Sequence, residues 1–194
     1  MESSGKRYPR DSFVLEPLRF FADPADVELV IVGLAPYPRE QSSECGIPFF
    51  DVNVTSWDDA SFSKCLSLRM ITLAALEHKY GKKGAFNNLA DLRKKLKDHV
   101  DQKSMFIEWM SAGVLLLNAA PTLPLKEKEK GKGGHAKKWR SVLDTILMRI
   151  FEAKSKAESK KSIAFSLWGK QANDLEPTIQ KLSKVSFVTL FSVV

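Results

Sequence analysis

Four short apolar runs punctuate the chain. Val27-Glu28-Leu29-Val30-Ile31-Val32 is rich in β-branched residues and stops at Gly33, Val114-Leu115-Leu116-Leu117 stops at Asn118, and Ile163–Trp168 and Val185–Val194 complete the set. Runs this short, apolar at successive rather than alternate positions, predict strands buried on both faces, as in a parallel sheet. Between them the period lengthens to three or four. Phe62, Leu66, Met70, Leu73 and Tyr80 predict a helix over 60–80, with Ser56 as a cap-like residue before it and Gly81 as its stop. Leu89, Leu92, Leu96 and Val100 predict a second helix whose other face carries Arg93, Lys94, Lys95 and Lys97, and residues 105–110 a short third. The cleanest amphipathic segment joins Trp139, Val142, Leu143, Ile146, Leu147, Ile150 and Phe151, followed by a polar tail, Lys154–Lys161, expected to be solvated. A last helix over 171–182 turns Leu175, Ile179 and Leu182 inward.

Strands separated by helical segments predict an α/β fold: a three-layer sandwich with a central four-stranded, mainly parallel sheet flanked by helices. At 194 residues the length suits one domain, placed at 27–194 behind an irregular or short helical lead-in at 1–26 that carries Pro9, Pro17 and Pro24. The stretch Lys126–Gly134 is charged and glycine-rich and predicts a surface loop. Ligands of such sheets meet the loops at the carboxyl ends of the strands, which begin here at Gly33, Asn118, Gly169 and the C-terminal end.

Charge narrows the class of partner. Thirty Lys and Arg against 23 Asp and Glu give +7 and a pI near 9.4, which favours a polyanion by long-range attraction. Cys45 and Cys65 are too few for a disulfide framework and complete no zinc spacing, which suits a reducing compartment. No apolar run approaches the ~20 residues that span a bilayer, and no signal-peptide core stands near Met1. A membrane partner is not expected.

The loops after the strands carry the chemistry. They read Gly33-Leu34-Ala35-Pro36-Tyr37-Pro38 with Gly46-Ile47-Pro48-Phe49 close behind, then Asn118-Ala119-Ala120-Pro121-Thr122, then Trp168-Gly169-Lys170, with His135 and Trp139 four residues apart between the last two. In this order, each just after a predicted strand, these segments resemble the uracil-DNA glycosylase superfamily over most of the chain from about residue 27. Their spacing is most similar to the poxvirus-type branch, with its Pro-Tyr-Pro loop, Gly-Val-Pro-Phe segment, His-x-x-x-Trp step and Gly-Lys.

That resemblance implies a base site made of Asn118, Phe49 and Tyr37. An Asn side chain sets an acceptor beside a donor, so Asn118 can pair with N3–H and O4 of uracil and mismatch cytosine; read without the family it is a polar strand-end residue capping a loop. Phe49 either stacks on an extruded base or belongs to the core, and Tyr37 stands where the family excludes the thymine methyl. Gly169, Lys170, His135 and Pro36 fall where the family holds DNA. Lys170 opens a helix, where a cation is unfavourable unless it meets a phosphate or simply faces solvent, and His135 is either a phosphate contact or a loop anchor.

Two catalytic places depart from the family. Ala35 stands where an Asp usually positions the attacking water, although some bacterial and archaeal members carry the same Gly-Leu-Ala-Pro and are regarded as active. The family's His-Pro-Ser-type loop follows the fourth strand; here either Phe191 takes the histidine's place or the sequence stops short of that loop. The family's proline-rich loop is replaced by Val52-Asn53-Val54-Thr55-Ser56-Trp57. The expectation is a glycosylase-fold DNA-binding protein with a uracil-type pocket and impaired catalysis, acting as a repair or replication accessory factor. Its expected partners are single-stranded, uracil-containing or abasic DNA and a repair or replication protein, in the nucleus or another site of DNA replication, with no metal or cofactor. The alternatives are an active glycosylase that hydrolyses the uracil–deoxyribose N-glycosidic bond, with Asn118 and either Asp51 or Glu40 holding water, and a protein-interaction module on the same fold.

Overall fold

A computed structural model describes residues 7–39, 41, 43–81, 84, 88–124, 135–156, 162–183 and 188–193. Four strands, β2 (Leu29–Gly33), β3 (Val114–Asn118), β5 (Ile163–Trp168) and β6 (Val188–Val193), form one sheet in the order β3-β2-β5-β6, and every pairing is parallel. A two-residue ribbon, β1 (Arg7–Tyr8) against β4 (Leu123–Pro124), lies apart. The helices are α1 (Ala60–Ser63), α2 (Leu66–Tyr80), α3 (Leu89–Leu96), α4 (Gln102–Ser111), α5 (Ala136–Lys156), α6 (Lys170–Asn173) and α7 (Glu176–Leu182). The expected three-layer sandwich is therefore present, and its sheet is wholly rather than mainly parallel.

The period of two within each strand sorts the side chains into two cores. Val30, Val32, Leu115, Leu117, Ile163, Phe165 and Leu167 pack on α5 and α7, while Ile31, Val114, Leu116 and Trp168 face the layer built from α1–α4 and the loop carrying Phe49. The helix expected over 60–80 breaks at Lys64–Cys65, where Cys65 has the non-helical backbone φ −97°, ψ 75°. Gly81 ends α2 at φ 63°, as its place in the sequence implied. α4 begins earlier than periodicity indicated because Asp101 caps it through Ser104 N (2.9 Å). The last helix divides into α6 and α7, with Pro177 in the first turn of α7.

The lead-in shares the core rather than trailing from it. Its 3-10 turns at Asp11–Phe13, Glu16–Phe20 and Pro24–Asp26 bring Leu18 and Phe21 onto the α5 face. Gly46 adopts φ +71° with its Cα against the Phe13 carbonyl, a place where any side chain would collide with backbone. The tail of α5 also departs from expectation. Lys154 is only 1% exposed and donates to the Ala25 carbonyl (3.1 Å), so the polar tail begins after it. The loop at Lys126–Gly134, residues 157–161 of the tail and the predicted strand start at 185–187 lie outside the described residues.

Candidate functional site at the carboxyl edge

Parallel register brings the strand ends together: Gly33 pairs with Asn118, Val32 with Leu167, and Trp168 with Val193. The first two loops continue this pairing past the strands, Ala119 N donating to Gly33 O (2.8 Å) and Ala120 N to Leu34 O (2.9 Å). Ala35 is thus held beside the Asn118 loop by backbone alone, whatever its side chain.

Glycine at position 33 is required by what crosses it. A Cβ there would lie 2.7 Å from Phe49 Cζ and 2.9 Å from Asn118 Oδ1, so an aromatic ring and a carboxamide converge over one bare Cα. Asn118 is 5% exposed, and its carboxamide makes no hydrogen bond to a described residue. Its polar atoms are not sealed from solvent, so water or a ligand can supply their partners. A crevice of about 10 Å³ between Asn118 and the lead-in holds at most one water.

Phe49 is held in an unusual conformation. It is buried at φ 67°, a region that bulky residues seldom adopt, and its ring lies 5.3 Å from that of Trp168, tilted by 52°. Tyr37 fixes it: its hydroxyl donates to Phe49 O (3.3 Å) and accepts from Leu68 N (3.3 Å) in the uncapped first turn of α2. Burial first, and then the neighbouring Cys65, push the Tyr37 hydroxyl far above its ordinary range, so the proton for the Phe49 bond stays in place. Trp168 carried no sequence signal beyond its place before Gly169, because an apolar strand-end residue reads as core.

A buried polar cluster supports the same loop. Asp51, 0% exposed, pairs with Arg39, accepts from Cys65 Sγ (3.1 Å), Asn53 N (2.9 Å) and Asn53 Nδ2 (3.1 Å), and Gln102 Nε2 reaches Asp51 O (2.9 Å). Arg39 also lies 5.2 Å over the Tyr37 ring. This corrects the expectation that Asp51 holds a catalytic water: its oxygens are committed to Arg39, Cys65 and Asn53. Glu40, the other candidate, lies outside the described residues. Burial pushes the Cys65 thiol up to about 11 from 9.0. A raised folded value means that the stability contributed by the protonated thiol is present below pH 9 and is lost as pH rises toward 11. Thiol-reactive dye at pH 8 should label Cys65 only after denaturant is added; rapid labelling of the folded protein, read residue by residue by mass spectrometry, would contradict its burial.

The DNA-side candidates sit on the same edge. Gly169 (φ 85°, ψ 167°) adopts a backbone essentially reserved for glycine and opens α6, and Lys170 follows it exposed. His135 Nδ1 meets Thr122 Oγ1 (2.9 Å), which also accepts from Trp139 Nε1 (2.8 Å). His135 therefore anchors the Asn118 loop to α5. Thr122, 1% exposed, is the middle of that chain and was not singled out by the sequence. Pro36 is buried inside the first loop, away from a surface contact.

No protein-family model matches the sequence, and no curated protein matches it. Solved structures do. The wild-type UNG of Nitratifractor salsuginis superposes with a TM-score of 0.67 over 96% of this chain and 72% of that one, at 18% identity. Mimivirus uracil-DNA glycosylase superposes with a TM-score of 0.57 over 97% of this chain and 56% of that one, at 16% identity, and a mimivirus UNG variant in complex with UGI does so at 0.54. The chain has the uracil-DNA glycosylase fold. It spans little more than half the length of the mimivirus chains. The neighbours named are bacterial and mimiviral, so the finer likeness to the poxvirus branch rests on the motifs alone.

Within the glycosylase fold, the four motif segments fall on the loops to which the resemblance assigned them. Phe191 pairs with Ser166 inside β6, two residues before the strand ends at Val193. The segment replacing the family's proline-rich loop is tied inward, Trp57 being 5% exposed with Nε1 donating to Val100 O (3.0 Å).

Proposed function

We propose that this chain is a glycosylase-fold DNA-binding protein whose carboxyl-edge cleft takes a uracil-type base, and whose own residues contribute little to breaking the N-glycosidic bond. The observation that carries the proposal is the meeting of the Asn118 carboxamide and the Phe49 ring over Gly33, beside a loop in which Ala35 offers only a methyl group. A donor–acceptor pair with an aromatic wall suits a pyrimidine edge and face. Alanine neither accepts a proton nor orients water, and losing such a group costs on the order of 10²–10⁴ in rate. The role this supports is that of an accessory factor in DNA repair or replication, in a reducing compartment where DNA is copied, binding single-stranded, uracil-containing or abasic DNA. The binding partner UGI is a property of the mimivirus neighbour.

The decisive measurement is uracil release from a labelled uracil-containing oligonucleotide, single- and double-stranded, alongside binding of the same strands. Binding with no release above background is expected. Clear release would replace the proposal with an active glycosylase on the Ala-type loop. Lys170→Glu should weaken DNA binding broadly and lower the magnitude of the salt slope by about 1 or more, since a phosphate contact is lost and a like charge introduced. An unchanged slope across a salt titration would leave Lys170 as a solvated surface residue.

A further inference from the structure

The Asn118 carboxamide makes no hydrogen bond to a described residue, so its direction is set by the loop that carries it. A group that reads a base must be held to within about 0.5 Å, which puts the burden on the anchors of that loop. On the strand side the anchors are backbone bonds, Ala119 N to Gly33 O and Ala120 N to Leu34 O. On the far side the anchor is a side chain. Thr122, 1% exposed, has its hydroxyl bonded to His135 Nδ1 (2.9 Å) and Trp139 Nε1 (2.8 Å). Ala119, Ala120 and Pro121, which separate it from Asn118, are buried as well. The partners of Thr122 stand at the start of α5, which Leu143, Leu147, Ile150 and Phe151 seat in the core. A shift of the hydroxyl is therefore passed along a short, packed segment to the carboxamide.

The protons of this chain have one arrangement. An indole N–H only donates, so Thr122 Oγ1 accepts from Trp139. The hydroxyl then has its own proton to place, and among the described residues the acceptor it meets is His135 Nδ1. The bonds run from Trp139 to Thr122 to His135, and the ring proton of His135 is left on Nε2. The reverse, with Nδ1–H donating, would give the threonine oxygen two donors and strand its proton at a buried position. Three side chains bonded in one direction fix the loop more tightly than a single contact could.

We propose that Thr122 is a positioning residue: without touching the base, its hydroxyl fixes the direction of the Asn118 carboxamide through the one-way chain from Trp139 to His135. The consequence for base preference rests on the uracil reading of Asn118 given above. Two readouts keep the proposals apart. One is the side-chain amide signal of Asn118 in NMR of isotope-labelled protein, assigned by its loss in Asn118→Ala. The other is competition binding of strands that differ only in uracil or cytosine.

Thr122→Val removes the hydroxyl, Thr122→Ser keeps it, and Trp139→Phe removes the donor from α5 and carries the test should the valine variant not fold. Thr122→Val and Trp139→Phe are expected to move or split the Asn118 signal and to lower uracil preference about tenfold or more, with affinity for the cytosine strand retained. Thr122→Ser should match the wild type in both. In the wild type, His135 should carry its proton on Nε2 with Nδ1 bare; a proton on Nδ1 would overturn the chain. An Asn118 signal unmoved in the folded variants overturns the proposal, and unchanged uracil preference beside it would leave the base reading standing. Equal weakening of both strands, unrescued by serine, also overturns it in favour of a packing role. A signal that moves in the variants, in a protein whose wild type binds both strands alike, would keep Thr122 in its positioning role and remove the uracil reading instead.

Discussion

Asp51→Ala is expected to lower the unfolding free energy by about 3 kcal/mol, and the melting temperature by roughly 6–12 °C, the largest stability effect of any single change near the site. Deleting one partner of a buried ion pair costs ~3–5 kcal/mol because the other charge is stranded. Arg39 keeps 28% of its side chain exposed, so water recovers part of that loss and the lower end applies. Cys65 Sγ and the two Asn53 donors lose their acceptor as well. Thermal and urea unfolding followed by circular dichroism measures the effect. A melt within a degree of wild type would mean that the cluster is incidental to the loop carrying Phe49.

Gly33→Ala acts on recognition instead. Its Cβ enters the space shared by the Phe49 ring and Asn118 Oδ1, so both must move to admit a single methyl group. A bidentate base contact and a stacked ring are each worth ~1–3 kcal/mol. Their joint disturbance should remove on the order of 3 kcal/mol of preference for uracil over cytosine, above a hundredfold. Competition binding with strands differing only at that base reads it directly. The φ of Gly33 is not in the left-handed region, so backbone strain does not confound the comparison. Undiminished preference in the alanine variant would place the base elsewhere on the protein.

The strands were the most legible part of the chain, because fully buried parallel strands appear as unbroken apolar runs whatever surrounds them. Val114–Asn118 and Ile163–Trp168 match their predicted bounds closely. The break between α1 and α2 was hidden, since Phe62, Leu66 and Met70 keep helical spacing across it, yet Leu66 and Met70 are exposed at 63% and 51%. The spacing that predicted one helix thus ran through two residues that point outward. The motif residues were found through their loop context, but the groups that hold them were not. Arg39 and Asp51 stand 12 residues apart, and Asp51 meets Gln102 across 51 residues; local pattern does not report such pairings. Lys154 was misplaced for a similar reason. A lysine in a polar tail reads as solvated until Ala25, 129 residues earlier, is seen to lie over it.

That lysine changes how the N-terminal segment is understood. A polypeptide started at Val27 would keep the four-stranded sheet and every motif, but it would lose the carbonyl cover over a deeply sunk cation and uncover the apolar groove at Leu115, Ile146 and Ile150. Trimming the first turns as though they were an appendage would produce a sticky, less soluble product. Those turns act as a keystone that is translated before the arch it closes.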